Sequence, residues 1–432
     1  MTAPALPRRN LPLYLGARVA AATGIQIQSV AIGLQVYERT GSTLDLGNVG
    51  LAQFVPLALL SAYAGSFADR HDRRTILTAC RVLYAVGSLA LASLCFAPGW
   101  GVGPIYVVLV VLGATRAFSW PASSALLPNV VSLAELPRAI ALSSIAFQVA
   151  TVSGPALSGI LYAAAGPEGA YLASAVLEGT SAVLVFLLRP APRRGPVRPT
   201  EPWPRQFLSG LRYVFREKIV LGALSLDLFA VLLGGAVALM PVYATDILGV
   251  GATGFGWLRA APAVGAVVVA IFLASRPIRR RAGLYLFLGV GLFGLATIVF
   301  GLSRSFGLSL IALVILGGAD MVSVVIRRSL IQLWTPDAMR GRVSAVDMVF
   351  VGASNELGEM ESGYSARLLE VGVGLEKEKA VVAAVVLGGV GTLMVTGLWA
   401  WAFPSLRRTD RLQGRDGARP TPVPPDGAPG GR

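Results

Sequence analysis

Apolar runs long enough to cross a membrane recur along the whole chain, separated by short polar segments, and few stretches alternate apolar and polar residues. About 20 apolar residues in a helix cross a hydrocarbon core of about 30 Å, whereas a membrane barrel needs strands with a period of two. The pattern predicts helical spans near residues 12–37, 46–68, 75–96, 104–128, 137–164 and 169–188. A second set is predicted near 219–245, 253–275, 283–303, 307–334, 342–370 and 380–403. The expected fold is therefore an all-α membrane protein of twelve transmembrane helices in two six-helix bundles.

The two sets repeat each other. A shift of 206 residues lays Val36-Tyr37 on Val242-Tyr243, Pro56 on Pro262, and Arg70, Arg73 and Arg74 on Arg276, Arg279 and Arg280. A shift of about 204 lays Gly113 on Gly317, Gly154 on Gly358, and Ser158-Gly159 on Ser362-Gly363. Parallel repeats of this kind imply a pseudo-twofold axis along the membrane normal with a polar site between the halves. The expected organisation is an N-terminal tail (1–11), a six-helix bundle (12–188), a linker (189–218), a second bundle (219–403) and a disordered C-terminal tail (404–432). Within the linker, Phe207, Leu211, Val214 and Phe215 fall on one stripe. That segment reads either as an amphipathic interfacial helix or as an extension of the seventh span.

Composition agrees with a lipid-facing surface. The chain is 54% hydrophobic and 14% charged, against roughly 25% charged in a soluble domain. Its net charge of +14 sits between the spans rather than in an aromatic-interleaved basic domain, which argues for orientation and against nucleic acid. Arg70, Arg73, Arg74, Arg138, Arg276, Arg279, Arg280, Arg281, Arg340 and Arg342 occupy alternate loops, together with both tails and the linker. The opposite loops hold only Arg39, Arg304, Lys377 and Lys379. The positive-inside rule then predicts cytoplasmic termini in a plasma (inner) membrane. Arg8 and Arg9 lead directly into a full-length span, as in a retained anchor rather than a cleaved signal.

Several chemistries are disfavoured. Cys80 and Cys95 fall in one apolar run, and His71 is the single histidine, so neither a metal cluster nor a histidine-based triad is expected. Gly249-Val-Gly251-Ala-Thr-Gly254 spells a dinucleotide motif but joins two spans and follows no strand. No Walker A sequence occurs, which leaves a gradient or the substrate itself as the energy source. No enzyme activity and no cofactor are expected.

The loop Gly65-Ser-Phe-Ala-Asp69-Arg70-His71-Asp72-Arg73-Arg74 resembles the Gly-x-x-x-Asp-Arg-x-Gly-Arg-Arg signature of the major facilitator superfamily, with Asp72 where Gly is usual. Gly65, Asp69, Arg70, Arg73 and Arg74 are thereby implied as a cytoplasmic gate; the second-half copy has Ser275 in place of Asp69. Gly154-Pro155-Ala-Leu-Ser158-Gly159 is similar to the end of the family's antiporter motif, which implies a kink at Gly154, Pro155 and Gly159 and favours export. Phe118-Ser-Trp-Pro121-Ala and Ser354-Asn355-Glu356-Leu-Gly358-Glu359 resemble the branch of bacterial drug and siderophore exporters, which includes macrolide efflux proteins and the enterobactin exporter.

An ionisable residue inside a span costs at least about 2.5 kcal/mol near its centre, so each one marks a partner, a cavity or a task. By depth and by this resemblance, Arg18, Gln26, Arg116, Asp227 and Asp320 are expected to line the substrate cavity. Arg116 and Asp320 are repeat-equivalent positions of opposite charge, placed to face each other across it. Asp320, Asp227, Glu356 and Glu178 are the proton-coupling candidates, since a carboxyl kept from water can exchange a proton as access alternates. The competing reading is structural: Asp320 and Arg327 lie seven residues apart on one helical face. The expected function is proton-coupled efflux of small amphipathic molecules by a monomer, with a lipid flippase or a solute importer on the same fold as the alternative.

Overall fold

The computed structural model of the chain describes residues 9–96, 98–132, 135–190, 203–278 and 280–410. The expected tails fall outside these residues at 1–8 and 411–432, and the linker at 191–202; within the tail expected to be disordered, Pro404–Arg407 form a short helix whose Leu406 is buried. Among the described residues there is no strand.

The first helix, α1 (Asn10–Thr40), ends where Gly41 adopts a left-handed φ of 60° and its N–H bonds back to the Tyr37 carbonyl. Ser42 then caps α2 (Thr43–Arg70) by accepting from the Asp45 N–H. Asp72 caps α3 (Arg73–Cys95) by accepting from the Arg74 N–H at 3.0 Å. This is the position at which the family signature has Gly, and the carboxylate satisfies donors that a glycine would leave to water. The next helices are α4 (Gly103–Val130) and α5 (Leu136–Phe186).

At 51 residues, α5 would be far longer than a bilayer is thick at 1.5 Å per residue. It is two helices joined at Ala165 and Gly166, where Gly166 takes a φ of 66° that side chains disfavour. Both limbs run along α1 in opposite senses. On the first limb, Arg18 bonds to Ser143, Ser158 to Ile27 and Tyr162 to Glu38; on the second, Tyr171 bonds to Gln35, Ser174 to Gly24 and Ser181 to Ala17. The chain therefore crosses twice within α5.

The linker ends in α6 (Trp203–Arg216), which is distinct from α7 (Lys218–Leu233) because Glu217 leaves helical geometry at ψ 96°. Val214 is buried, and Phe207, Leu211 and Tyr213 pack with it against α7 and later helices; Phe215 is exposed and leaves the predicted stripe. The seventh span, predicted as continuous, is interrupted after Leu233 and proceeds through a 3-10 turn (Ala236–Leu239) to a π-turn (Tyr243–Ile247). Such irregular backbone is tolerated at membrane depth where protein covers it, and here the Gly235 backbone lies against Gly358 of a later helix. The remaining helices are α8 (Gly251–Ser275), α9 (Ala282–Leu302), α10 (Phe306–Trp334), α11 (Asp337–Gly372) and α12 (Lys377–Ala402).

Among the described residues, ten helices are long and apolar enough to span a membrane. Counting α5 twice and adding α11, which is 36 residues long but carries Glu356, Glu359 and Glu361, is consistent with twelve crossings.

The apolar core is arranged unevenly along the helix axes. At the end opposite the termini, one cluster joins Ile27, Val30, Leu34, Tyr162 and Tyr171 of the first set of helices with Leu239, Val242, Phe255, Leu313 and Val381 of the second. At the terminus-bearing end the clusters are separate. One holds Tyr14, Ile76, Leu126 and Val185; the other holds Ile219, Leu226, Leu286 and Leu330. The two halves thus share a core at the far end and part toward the termini.

Candidate functional site

Close backbone contact fixes the shared end. A Cβ on Gly159 of α5 would come within 2.5 Å of the Ala252 carbonyl and 2.9 Å of Gly256 Cα, both in α8. A Cβ on Gly363 of α11 would come within 2.6 Å of the Thr43 carbonyl and 2.9 Å of Gly47 Cα, both in α2. Gly159 and Gly363 are repeat equivalents, so α5–α8 and α2–α11 form two seams related by the pseudo-twofold axis. Of the Gly-Pro motif, Pro155 lies on the first seam, its carbonyl facing Gly256, while Gly154 faces Gln26 of α1 within the first half. The backbone stays helical through Pro155, and the non-helical residues of α5 are Ala165 and Gly166. The expected kink is thus a contact surface and contains no break.

Further toward the far end, the Tyr37 hydroxyl donates to Asp246 of the other half. Lys377 Nζ is 3.3 Å from the same carboxylate and 4.5 Å from the Tyr37 ring centre. Tyr364 donates to Asn48 at 3.1 Å across the second seam.

At mid-membrane, where the cores begin to part, four charged side chains meet around α11. Arg116 Nη1 of α4 donates to Glu356 Oε1 at 2.6 Å. One turn along α11, Glu359 lies 3.9 Å from Arg259 of α8, and Arg259 also reaches Ser29 of α1 at 3.5 Å. The expected pairing of Arg116 with Asp320 is therefore not made; Glu356 of α11 takes that place. Arg259 was missed from the sequence, although a lone guanidinium within the apolar run Gly251–Ser275 is the signal used for the others. Arg18 lies nearer the termini, donating to the Ser143 carbonyl at 3.1 Å with its guanidinium over the Phe147 ring.

Asp227 does not line the space between the halves. Its side chain is 7% exposed, accepts from Arg327 of α10 (itself 3% exposed) and lies 3.5 Å from the Ser323 hydroxyl, all within the second half. Arg327 is also 3.7 Å from Asp347 of α11. The structural pair considered within α10 is thus replaced by one between α7 and α10. Asp320 makes no hydrogen bond or ion pair among the described residues. It borders a cavity of about 10 Å³ with Asp227, Ser323 and Phe293, close to the room that one water needs. Glu178 is buried in the first half, 3.4 Å from Arg81, and its Oε1 has no hydrogen-bond partner.

In the loop signature, Arg73 donates to the Ala125 carbonyl at 3.0 Å and Arg74 to the Leu188 carbonyl at 2.9 Å, both within the first half. Both acceptors lie at or near terminus-side helix ends, where guanidinium groups satisfy carbonyls left free by the helix. Arg70 is exposed at the end of α2. Gly65 and Asp69 stand in the last turns of α2, and their side-chain positions fall outside the described residues.

Comparison with known proteins agrees with this architecture. A family model described as Major Facilitator Superfamily matches residues 14–358. The chain is 28% identical over 418 residues to the enterobactin exporter EntS of Citrobacter koseri, covering 96% of this chain and 94% of that protein. It is 27% identical over 397 residues to EntS of Escherichia coli, covering 91% of each. Among solved structures, a bacterial homologue of the human lysosomal transporter Spinster, inward-facing and unoccupied, superposes with a TM-score of 0.67 at 15% identity, over 93% of this chain and 97% of that one. The POT family transporter PepTSo superposes with a TM-score of 0.71 at 13% identity, over 94% of this chain and 99% of that one.

Proposed function

The chain belongs to the Major Facilitator Superfamily, and we propose that it is a proton-coupled exporter that clears a small amphipathic compound, a drug or a siderophore, by alternating access. It is a multi-pass membrane transporter of small molecules. The observation that carries the finer reading is the split core: one apolar cluster closes the far end across both halves, while two separate clusters leave the terminus-bearing end parted. Rocking about the α5–α8 and α2–α11 seams exchanges which end is closed.

In this reading the termini are cytoplasmic, the membrane is the plasma (inner) membrane, the protein works as a monomer, and the structure is the state that loads from the cytoplasm. The relatives named as exporters and the Pro155 contact on the α5–α8 seam support the outward direction. Asp320 is assigned the proton, because a carboxyl with no cationic partner beside a water-sized cavity gains most from binding one. Substrate is held between the halves at the level of Arg116, with Arg18 and Gln26 toward the termini.

An accumulation assay in an efflux-deficient host, run over a panel of drugs and siderophores with and without a protonophore, tests direction, chemistry and energy source together. Lower accumulation on expression, abolished by the protonophore, is the expected result. Raised accumulation would replace export by import, and lowered accumulation that ignores the protonophore would remove the proton coupling.

A further inference from the structure

Two guanidinium groups, one from each half, converge on one stretch of α11. Arg116 and Arg259 bind carboxylates three residues apart on that helix, which places the two carboxylates on one face about 5–6 Å apart at Cβ. The pairs are unequal. Arg116 is held tightly through one N–H, yet its side chain is 38% exposed while the Glu356 carboxylate beneath it is 12% exposed. Arg259 is held loosely, with its carboxylate at 3.9 Å and the Ser29 hydroxyl at the 3.5 Å limit of a hydrogen bond. An arginine carries five N–H donors in a planar fork, so among the described residues both groups keep donors beyond these contacts, while Glu356 accepts from Arg116 through Oε1. At the Arg116 pair the charge that faces the space between the halves is therefore cationic, whereas at the second pair Arg259 and Glu359 are 22% and 28% exposed and share that face; the four groups sum to zero.

An aromatic surface adjoins it. Trp120 follows Arg116 by four residues on α4 and so shares its face, one turn nearer the terminus-bearing end, with 52% of its surface exposed. Arg18 and Phe147 lie further along the same route, stacked on each other at 5.4 Å.

We propose that this site selects an anionic aromatic compound: its carboxylate or other acidic group is bound jointly by Arg116 and Arg259, and its ring lies against Trp120. This rests on the exporter reading above and names the substrate class for it. Because the two arginines belong to different halves, an anion held by both also draws the halves together at mid-membrane, which couples occupancy to the rocking motion.

The test is calorimetric titration of the full chain in detergent with three probes sharing one ring: 2-naphthoate, 2-naphthalenemethanol and protonated 2-naphthylmethylamine. Naphthoate is expected to bind at least tenfold more tightly than the alcohol, and the amine more weakly than either. Arg116→Gln and Arg259→Gln should each weaken naphthoate about tenfold and leave the alcohol unchanged. Trp120→Ala should weaken all three alike. Since Arg116→Gln strands a carboxylate, the double variant Arg116→Gln/Glu356→Gln is included; it removes both charges of the pair and should show the same loss. Tighter binding of the amine, equal binding of all three, absence of naphthoate binding, or Arg variants that bind naphthoate like the parent would each overturn the assignment. Transport separates this from the exporter reading: outward movement of neutral or cationic drugs without naphthoate binding defeats only the anion site, whereas no outward movement of any compound defeats the exporter.

Discussion

The Tyr37 hydroxyl donates to the Asp246 carboxylate across the boundary between the halves, and Lys377 closes over both from the second half. Opening the far end must break this contact. Replacing Tyr37 by Phe removes one hydrogen bond and keeps the ring under Lys377. A net loss of about 1 kcal/mol corresponds to a roughly fivefold shift toward the far-side-open state. Spin labels on cysteines at Gly99 and Gly307, two far-end positions where a side chain meets open space, report it in a background lacking Cys80 and Cys95. A longer distance population should grow in Tyr37→Phe; an unchanged distribution would show that the contact does not hold the closed end.

The glycine seams make a second, stricter prediction. Gly159→Ala places a methyl group against the Ala252 carbonyl, and Gly363→Ala places one against the Thr43 carbonyl. Neither backbone can yield without separating the halves, so each variant should cost about 1–3 kcal/mol of the closed far end and reduce transport at least tenfold. Gly179→Ala is the control, because its added methyl meets nothing within 4 Å. It should be neutral or stabilise its helix by up to about 1 kcal/mol. Melting temperature and transport rate measured on the three variants check the set, and equal transport by all three would remove the seams from the mechanism.

The loop signature yields a third. Asp72→Gly restores the family's usual residue but deletes the cap of α3, whose oxygens accept from Arg74 N–H and the Thr75 hydroxyl. Loss of such a cap costs about 0.5–2 kcal/mol when the replacement is Ala and less when it is Gly. Thermal unfolding should therefore place Asp72→Ala below Asp72→Gly, with both below the parent; the reverse order would mean that the turn, and not the cap, dominates here.

What the sequence made legible follows from what each signal measures. Hydropathy reports length and mean polarity, so the spans emerged with small boundary errors, and the hairpin in α5 was anticipated as two spans. It does not report the interruption after Leu233, because a Gly-Gly step inside an apolar run stays apolar and its cause, the approach of Gly358, lies 120 residues away or more. The repeat offset paired Gly159 with Gly363, and the structure puts both on seams, since backbone contact is symmetric between halves. The same offset misled for Arg116 and Asp320, because a charge takes whichever opposite group comes within reach, here Glu356, and not its repeat equivalent. Depth alone likewise could not tell whether Asp227 faces the space between the halves or its own bundle.

That last distinction separates two carboxylates that depth made equal. Asp227 is bound to Arg327 in a buried contact between α7 and α10, while Asp320, on the same small cavity, has no such partner among the described residues. Removing one member of a buried pair strands the other, at a cost of about 3–5 kcal/mol, whereas replacing both by apolar residues of similar size is often neutral. Asp227→Asn should therefore lower the melting temperature strongly, and Asp227→Leu/Arg327→Met/Asp347→Asn, which also neutralises the second carboxylate beside Arg327, should recover most of the loss. Asp320→Asn breaks no ion pair, so its melting temperature should stay near that of the parent. If Asp320 carries the proton, this stable variant nevertheless loses gradient-driven antiport in proteoliposomes while still exchanging substrate across the membrane without a gradient. Full proton-driven antiport by Asp320→Asn would move the carrier role elsewhere, and loss of antiport in the stable Asp227→Leu/Arg327→Met/Asp347→Asn protein would place it on the carboxylates paired with Arg327 instead.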